Sequence, residues 1–248
     1  MRVNIIEKRY GTKLTLKDIN LYFPEGQTTL ILGTSGAGKS TLIKCLINET
    51  RYQGTITGCD SSAIAYIPQF PALNRYSTVR GTIYWSARFA DIFAPNSRVL
   101  ALTQAMINEV RLKEVADKVI KELSGGQRQR VSIAKELIRN KEVIIADEID
   151  TGLDCGVAKS LINTLSEITH NSNKTTIIIS HNLINIEMYD NVVVLVKDSD
   201  KVGRIAYTGT PSRMKTYFGV KEYVDILTKL NSKDEGGEGK ADDYIERK

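Results

Sequence analysis

The chain has 248 residues, of which 42% are hydrophobic, enough to bury a full core as one large domain or two small ones. Its 34 Lys and Arg against 29 Asp and Glu leave a net charge of +5, a modestly basic surface that argues against a dedicated nucleic-acid groove, so no nucleic-acid partner is expected. Cys45, Cys59 and Cys155 form no CxxC or Cys/His metal spacing and read as reduced thiols of a cytoplasmic protein, while apolar runs such as VVVLV at 192–196 are too short to cross a bilayer.

The opening third alternates like sheet in RVNIIEKRY and LTLKDINLYFPEG, and TTLILG then runs into a glycine loop followed by the helical STLIKCLINE. Strand, glycine turn and helix together predict the start of a parallel α/β unit. Further strands are expected at GTITG and AIAYIPQ. From about residue 74 the period becomes helical, in TVRGTIYWSARFA and RVLALTQAMINEVRL on either side of Pro95-Asn96, which predicts a helical subdomain inserted into the α/β body. LSGGQRQRVSIAKEL at 123–137 opens another amphipathic helix on a Ser-Gly-Gly start. The body resumes with VIIADE at 143–148, TTIIISH at 175–181, VVVLV and GRIAYTG. NSKDEGGEGKADDYIERK, from 231 to 248, has no hydrophobic period and more acids than bases; it reads as a solvated, flexible tail, with a bound peptide as the alternative. No internal repeat is visible.

The chemistry concentrates at strand ends. GTSGAGKS, from Gly33 through Thr34, Ser35, Gly36, Ala37, Gly38 and Lys39 to Ser40, followed by Thr41, satisfies G-x-x-x-x-G-K-[ST] between a predicted strand and a predicted helix. In that context backbone N–H groups surround phosphates, Lys39 reaches the β/γ-phosphates and the Ser40 hydroxyl coordinates Mg²⁺. VIIADE supplies Asp147 to hold the metal through water and Glu148 to act as general base on the attacking water; a helix N-cap is the alternative for an isolated Asp-Glu pair. Gln69 and His181 also end predicted strands. Each is either a satisfied polar cap or a ligand contact, Gln69 to metal or water and His181 to the γ-phosphate. A second helix start at Ser124, carried on the inserted subdomain, is poorly placed to reach the phosphate that its own P-loop holds. Two copies paired head to tail solve this, with ATP between each LSGGQ and the other chain's P-loop.

Walker A GTSGAGKS, Q-loop Gln69, signature LSGGQ, Walker B VIIAD with Glu148, the D-loop TGLD and H-loop His181 together make the chain resemble the nucleotide-binding domain of ABC transporters over nearly everything but the tail. The resemblance implies an α/β P-loop fold of ABC type over 1–230: a mixed sheet body, an antiparallel N-terminal β-subdomain, and an inserted helical subdomain over about 74–140 that carries the signature. It also implies that Tyr10 stacks on the adenine, that Ser124, Gly125, Gly126 and Gln127 meet ATP across the dimer, and that Asp154 couples the two sites. Metal contacts fall to Ser40, Gln69 and Asp147. The implied function is ATP hydrolysis, with ATP and Mg²⁺ as cofactors, driving a separate transmembrane permease subunit. That places the chain in the cytoplasm, peripheral on the inner face of the cell membrane. Phe70, Leu73 and Tyr76, beyond Gln69, either receive short helices of that partner or belong to the core.

STVRGTIYWSARFA and GRIAYTGTPSRMKTYFGVKEYVDILTKL resemble more narrowly the G-type, lipophile-exporting branch, which points to export. Two departures stand out. Gly81 replaces that branch's usual Glu, and Ile149-Asp150 replaces the family's usual Pro-Thr, adding a carboxylate expected to raise the pKa of Glu148. The rival reading is a soluble ABC ATPase acting in assembly or remodelling of a cytosolic complex. Sustained heptads, which mark the chromosome-associated members, are absent, and a P-loop kinase or GTPase explains neither LSGGQ nor His181.

Overall fold

The structure, a computed structural model, describes residues 1–183 and 185–245. The first alternating stretches form β1 (Arg2–Tyr10) and β2 (Lys13–Tyr22), an antiparallel hairpin. The apolar TTLILG becomes β3 (Thr28–Gly33), buried along its whole length, and leads through the glycine loop into α1 (Lys39–Leu46). Next come β4 (Gln53–Thr57), antiparallel to β1 at the sheet edge, and β5 (Ile64–Ile67). The predicted helical stretch gives α2 (Val79–Ala90), α3 (Asn96–Glu109) and α4 (Gly125–Leu137). Then follow β6 (Val143–Asp147), α5 (Cys155–Ser172), β7 (Thr175–Ile179), β8 (Asn191–Lys197) and β9 (Gly203–Gly209), and the short helices α6 (Pro211–Phe218), α7 (Tyr223–Leu230) and α8 (Ala241–Ile245).

All nine strands belong to one sheet, ordered β4-β1-β2-β9-β8-β3-β7-β6-β5. The antiparallel N-terminal layer joins the body at the Leu16↔Gly203 pairing of β2 with β9, so the expected β-subdomain is a wing of the main sheet. From β8 to β5 the strands are parallel, in register at Thr29↔Ile177, Ile145↔Ile177 and Tyr66↔Ile145. Residues alternate between two cores. Leu30, Leu32, Ile144, Ala146, Ile178 and Val194 face α5 and the helical subdomain, while Ile31, Ile145, Ile177 and Val193 face α1 and the N-terminal strands. Burial on both faces accounts for the near-continuous apolar runs that the sequence shows there.

The segment after 230 departs from the expectation of a solvated tail. Ala241 and Tyr244 are buried, the Tyr244 hydroxyl donates to the Phe218 carbonyl at 3.0 Å, and its ring lies 4.7 Å from that of Phe218. Glu235 pairs with Lys197 at 2.6 Å, and the Asp242 carboxylate accepts from the Ser199 N–H at 3.2 Å. This polar stretch is held to the end of β8 and the face of α6 by a few anchors that carry no periodic signature. Residues 246–248 of the expected tail lie outside the described residues.

Candidate nucleotide site

The P-loop begins where β3 ends. Gly38, the residue before α1, has φ 95°, and a side chain there would come within 2.6 Å of Leu16, so only glycine fits. Lys39 opens the helix. Its side chain is 7% exposed and folds back over the loop, its Nζ donating to the carbonyls of Gly33 at 3.0 Å and Thr34 at 3.2 Å. Burial lowers its pKa, and the negative charges of Glu148 and Asp147 act in the opposite direction. Ser35, Gly36 and Ser40 are exposed, Gly38 and Thr41 half-buried, and Gly33, Thr34 and Ala37 buried. The exposed N-terminal turn of α1 thus offers free N–H groups, a hydroxyl and a buried ammonium, the donor set that suits a phosphate chain and its counter-ion.

The parallel register brings the predicted strand-end residues together. The Ile67↔Ala146 and Asp147↔Ile179 pairings set Gln69, Glu148 and His181 just beyond the ends of β5, β6 and β7. Glu148 takes a left-handed backbone, φ 45°, anchored by its N–H to the Ile179 carbonyl at 2.8 Å. Its carboxylate accepts from Gln69 Nε2 at 2.9 Å through one oxygen and from His181 Nε2 at 2.9 Å through the other. An ionised carboxylate accepts only, so His181 presents Nε2–H to it.

Asp147 is fixed from a side that the sequence did not reveal. The Tyr66 hydroxyl donates to its Oδ2 at 3.1 Å. Burial raises the Asp147 pKa; the Tyr66 hydrogen bond opposes that rise and the charge of Glu148 adds to it. The Tyr66 phenol is itself raised, by burial first and then by Asp147. No motif flags Tyr66. The available signal was its place in a predicted strand one register step from the Walker B strand.

Asp150, expected to crowd Glu148, turns into the protein instead. It is buried, its carboxylate accepts from Ser180 Oγ at 2.6 Å, and its charge adds to the burial that raises the neighbouring Tyr189 phenol. Asp154 caps α5, accepting from the Val157 N–H at 2.9 Å.

The signature residues line a pocket to which the P-loop residues do not contribute. Ser124 caps α4 with a full capping box, in which its hydroxyl accepts from the Gln127 N–H at 3.3 Å and Gln127 Oε1 accepts from the Ser124 N–H at 3.0 Å. With Gly125 and Gly126 they wall a pocket of about 380 Å³ whose other side is Gly152, Asp154 and Val157. Gln129 Nε2 reaches the Pro68 carbonyl at 3.4 Å, tying α4 to the loop of Gln69. Tyr10 ends β1, about half exposed, with Lys8 Nζ 4.1 Å from its ring centre. Beyond Gln69, Phe70 is 79% and Tyr76 81% exposed, while Leu73 packs on the core, so the three residues divide between the two readings.

A mixed sheet whose parallel strands end at a glycine loop with a buried lysine, on which the charges of two adjacent carboxylates act, defines a P-loop nucleotide-hydrolysing protein. The family profile described as ABC transporter matches residues 16–151. The rat ATP-binding cassette sub-family G member 5 is 31% identical over 231 residues, which cover 86% of this chain and 34% of that protein. The manganese transport system ATP-binding protein MntB of Halalkalibacterium halodurans is 32% identical over 233 residues, 88% of this chain and 92% of that protein. Among solved structures, cbiO1 from Clostridium perfringens, part of the ABC transporter complex cbiONQ, superposes with a TM-score of 0.76 at 24% identity, covering 95% of this chain and 96% of that one. The chain belongs to the ABC transporter family and is an ATP-binding, ATP-hydrolysing domain of it. It spans about a third of the sub-family G relative and nearly all of the manganese-transport relative. Relatives of both kinds match about equally, so the G-type likeness does not carry the expected direction of transport.

Proposed function

We propose that two copies of this chain close head to tail on two ATP molecules, hydrolyse them, and through that cycle move a membrane-spanning partner carried on a separate subunit. The carrying observation is the Glu148 carboxylate held at both oxygens, by Gln69 and by His181. Among the described residues no helix is long and apolar enough to cross a membrane.

The residues present fit MgATP. Ser40, Asp147 and Gln69 would hold Mg²⁺, which when bound neutralises charge on the β- and γ-phosphate oxygens. The P-loop N–H groups and Lys39 hold the phosphate chain, and Tyr10 offers a face for the adenine. Glu148 takes the proton of the attacking water as the water oxygen bonds to the γ-phosphorus and the β–γ bridging oxygen leaves with ADP. Its two hydrogen bonds leave lone pairs free for that water. His181 and Gln69 hold the carboxylate in place and sense the γ-phosphate. Ser124, Gly125, Gly126 and Gln127 act on the ATP of the other copy, and Asp154 stands where the two sites meet. The exposed Phe70 and Tyr76 are the docking face for the membrane partner, and the chain works on the cytoplasmic side of the membrane through that partner.

Glu148→Gln keeps the size and shape of the side chain and removes the base, leaving one acceptor oxygen where the carboxylate has two. It is expected to lower the rate of ATP hydrolysis at least ~100-fold while ATP still binds. Hydrolysis at the wild-type rate would remove Glu148 from this role.

A further inference from the structure

The Ile149-Asp150 pair, which follows the catalytic Glu148, has a structural use. Asp150 is 7% exposed, and its carboxylate accepts a hydrogen bond from Ser180 Oγ at 2.6 Å. The same Ser180 hydroxyl accepts from the Asn182 N–H at 2.9 Å. A single buried hydroxyl therefore fixes the backbone on both sides of His181, with its proton committed to Asp150 and its lone pair to Asn182. The chain closes into a ring. Glu148 and Asp150 leave the end of β6 two residues apart, Ser180 and His181 leave the paired end of β7, and the ring is joined above by His181–Glu148 at 2.9 Å and below by Asp150–Ser180.

We infer that Asp150 is a positioning residue for ATP hydrolysis: through Ser180 it holds His181 in contact with Glu148. Its effect passes through a hydroxyl that, without Asp150, has no fixed direction for its proton and so a looser hold on the turn at His181. Asp150 also stands between the Walker B end and the Gly152–Asp154 wall of the signature pocket, its carbonyl accepting from the Leu153 N–H at 3.3 Å.

This inference rests on the reading of Glu148 and His181 given above, and its test separates the two. Steady-state ATP hydrolysis would be measured for the wild type, Asp150→Ala, Ser180→Ala, the double variant and Asp150→Asn, with Glu148→Gln as the control for the site itself. The Cε1–H resonance of His181 would be followed by NMR, which is tractable because the chain has two histidines. Each alanine variant is expected to lower kcat about tenfold with KM for ATP within about twofold, since a small misplacement of a catalytic contact costs that order of rate. The double variant should be no slower than either single one, because both break one linkage. Asp150→Asn, which keeps an acceptor for Ser180, should stay within about twofold of the wild type. The His181 resonance should move in the alanine variants and stay in Asp150→Asn. Multiplying losses in the double variant, an unmoved His181 resonance, or wild-type kcat in folded Asp150→Ala would each overturn the inference. If Asp150→Ala does not fold, Ser180→Ala against Asp150→Asn decides it: equal rates in that pair overturn it. Wild-type turnover in Glu148→Gln would instead strike the reading of the site and leave the His181 resonance as the test of the linkage.

Discussion

Tyr66 decides how the metal-side carboxylate behaves. Its hydroxyl favours the ionised form of Asp147, while burial and the charge of Glu148 favour the protonated one. Removing the hydroxyl leaves the raising influences of burial and Glu148 against the lowering ones of Lys39 and His181. In Tyr66→Phe the Asp147 pKa therefore rises further, and a higher pH is needed to ionise it. The acid limb of the pH–rate profile for ATP hydrolysis should move upward in that variant, and superimposable wild-type and variant profiles would show that Asp147 ionisation does not set the rate. At this scale the motif residues were legible, because a glycine loop, a lysine and strand-end carboxylates carry their chemistry in their spacing. Tyr66 and the Asp150–Ser180 bond were not. Each depends on which strands are neighbours and in what register, and local alternation is the same for any partner strand.

The helix starts show how the same device can be complete or half built. Ser124 and Gln127 form both halves of a capping box on α4, whereas on α2 the Thr78 hydroxyl accepts from the Gly81 N–H at 3.0 Å and glycine returns nothing. Gly81 thus stands where the reciprocal half of this cap would be. Gly81→Glu should stabilise the chain by about 1 kcal/mol, the sum of restored cap and removed glycine flexibility, seen as a melting midpoint raised roughly 2–4 °C. A lower midpoint would mean that the tight 3.0 Å approach of a new Cβ to the Thr78 hydroxyl is not relieved. On α4 the opposite change is costly. A side chain at Gly126 would meet Val157 Cγ1 at 2.7 Å, so Gly126→Ala should force the signature start away from α5 at a cost of about 1–3 kcal/mol. Thermal melts of the isolated chain measure that cost, and an unchanged midpoint would show that Val157 yields. In the sequence Gly126 is part of a Ser-Gly-Gly helix start expected to meet ATP; its packing against α5 is a tertiary fact.

Across the molecule, the two cores were foreshadowed by apolar strands buried on both faces, and the inserted helices by the change of period at about residue 74. The segment after 230 was misread because its composition is polar and its anchors are single residues. Tyr244 joins the rings of Tyr217 and Phe218, so Tyr244→Ala should cost about 3 kcal/mol and lower the melting midpoint by several degrees. A midpoint equal to the wild type would restore the solvated-tail reading. The largest consequence of the layout is that the signature residues wall a pocket with Gly152, Asp154 and Val157 to which the P-loop residues do not contribute. On the function proposed above, the site is completed by a second copy, with ATP as the ligand that binds the closed pair more tightly than the open one. The most direct test of that claim is sedimentation velocity of the Glu148→Gln chain with saturating ATP and Mg²⁺ and, in parallel, with ADP. The chain is expected to sediment as a dimer with ATP and as a monomer with ADP; a monomer in both, with ATP bound, would rule the shared site out.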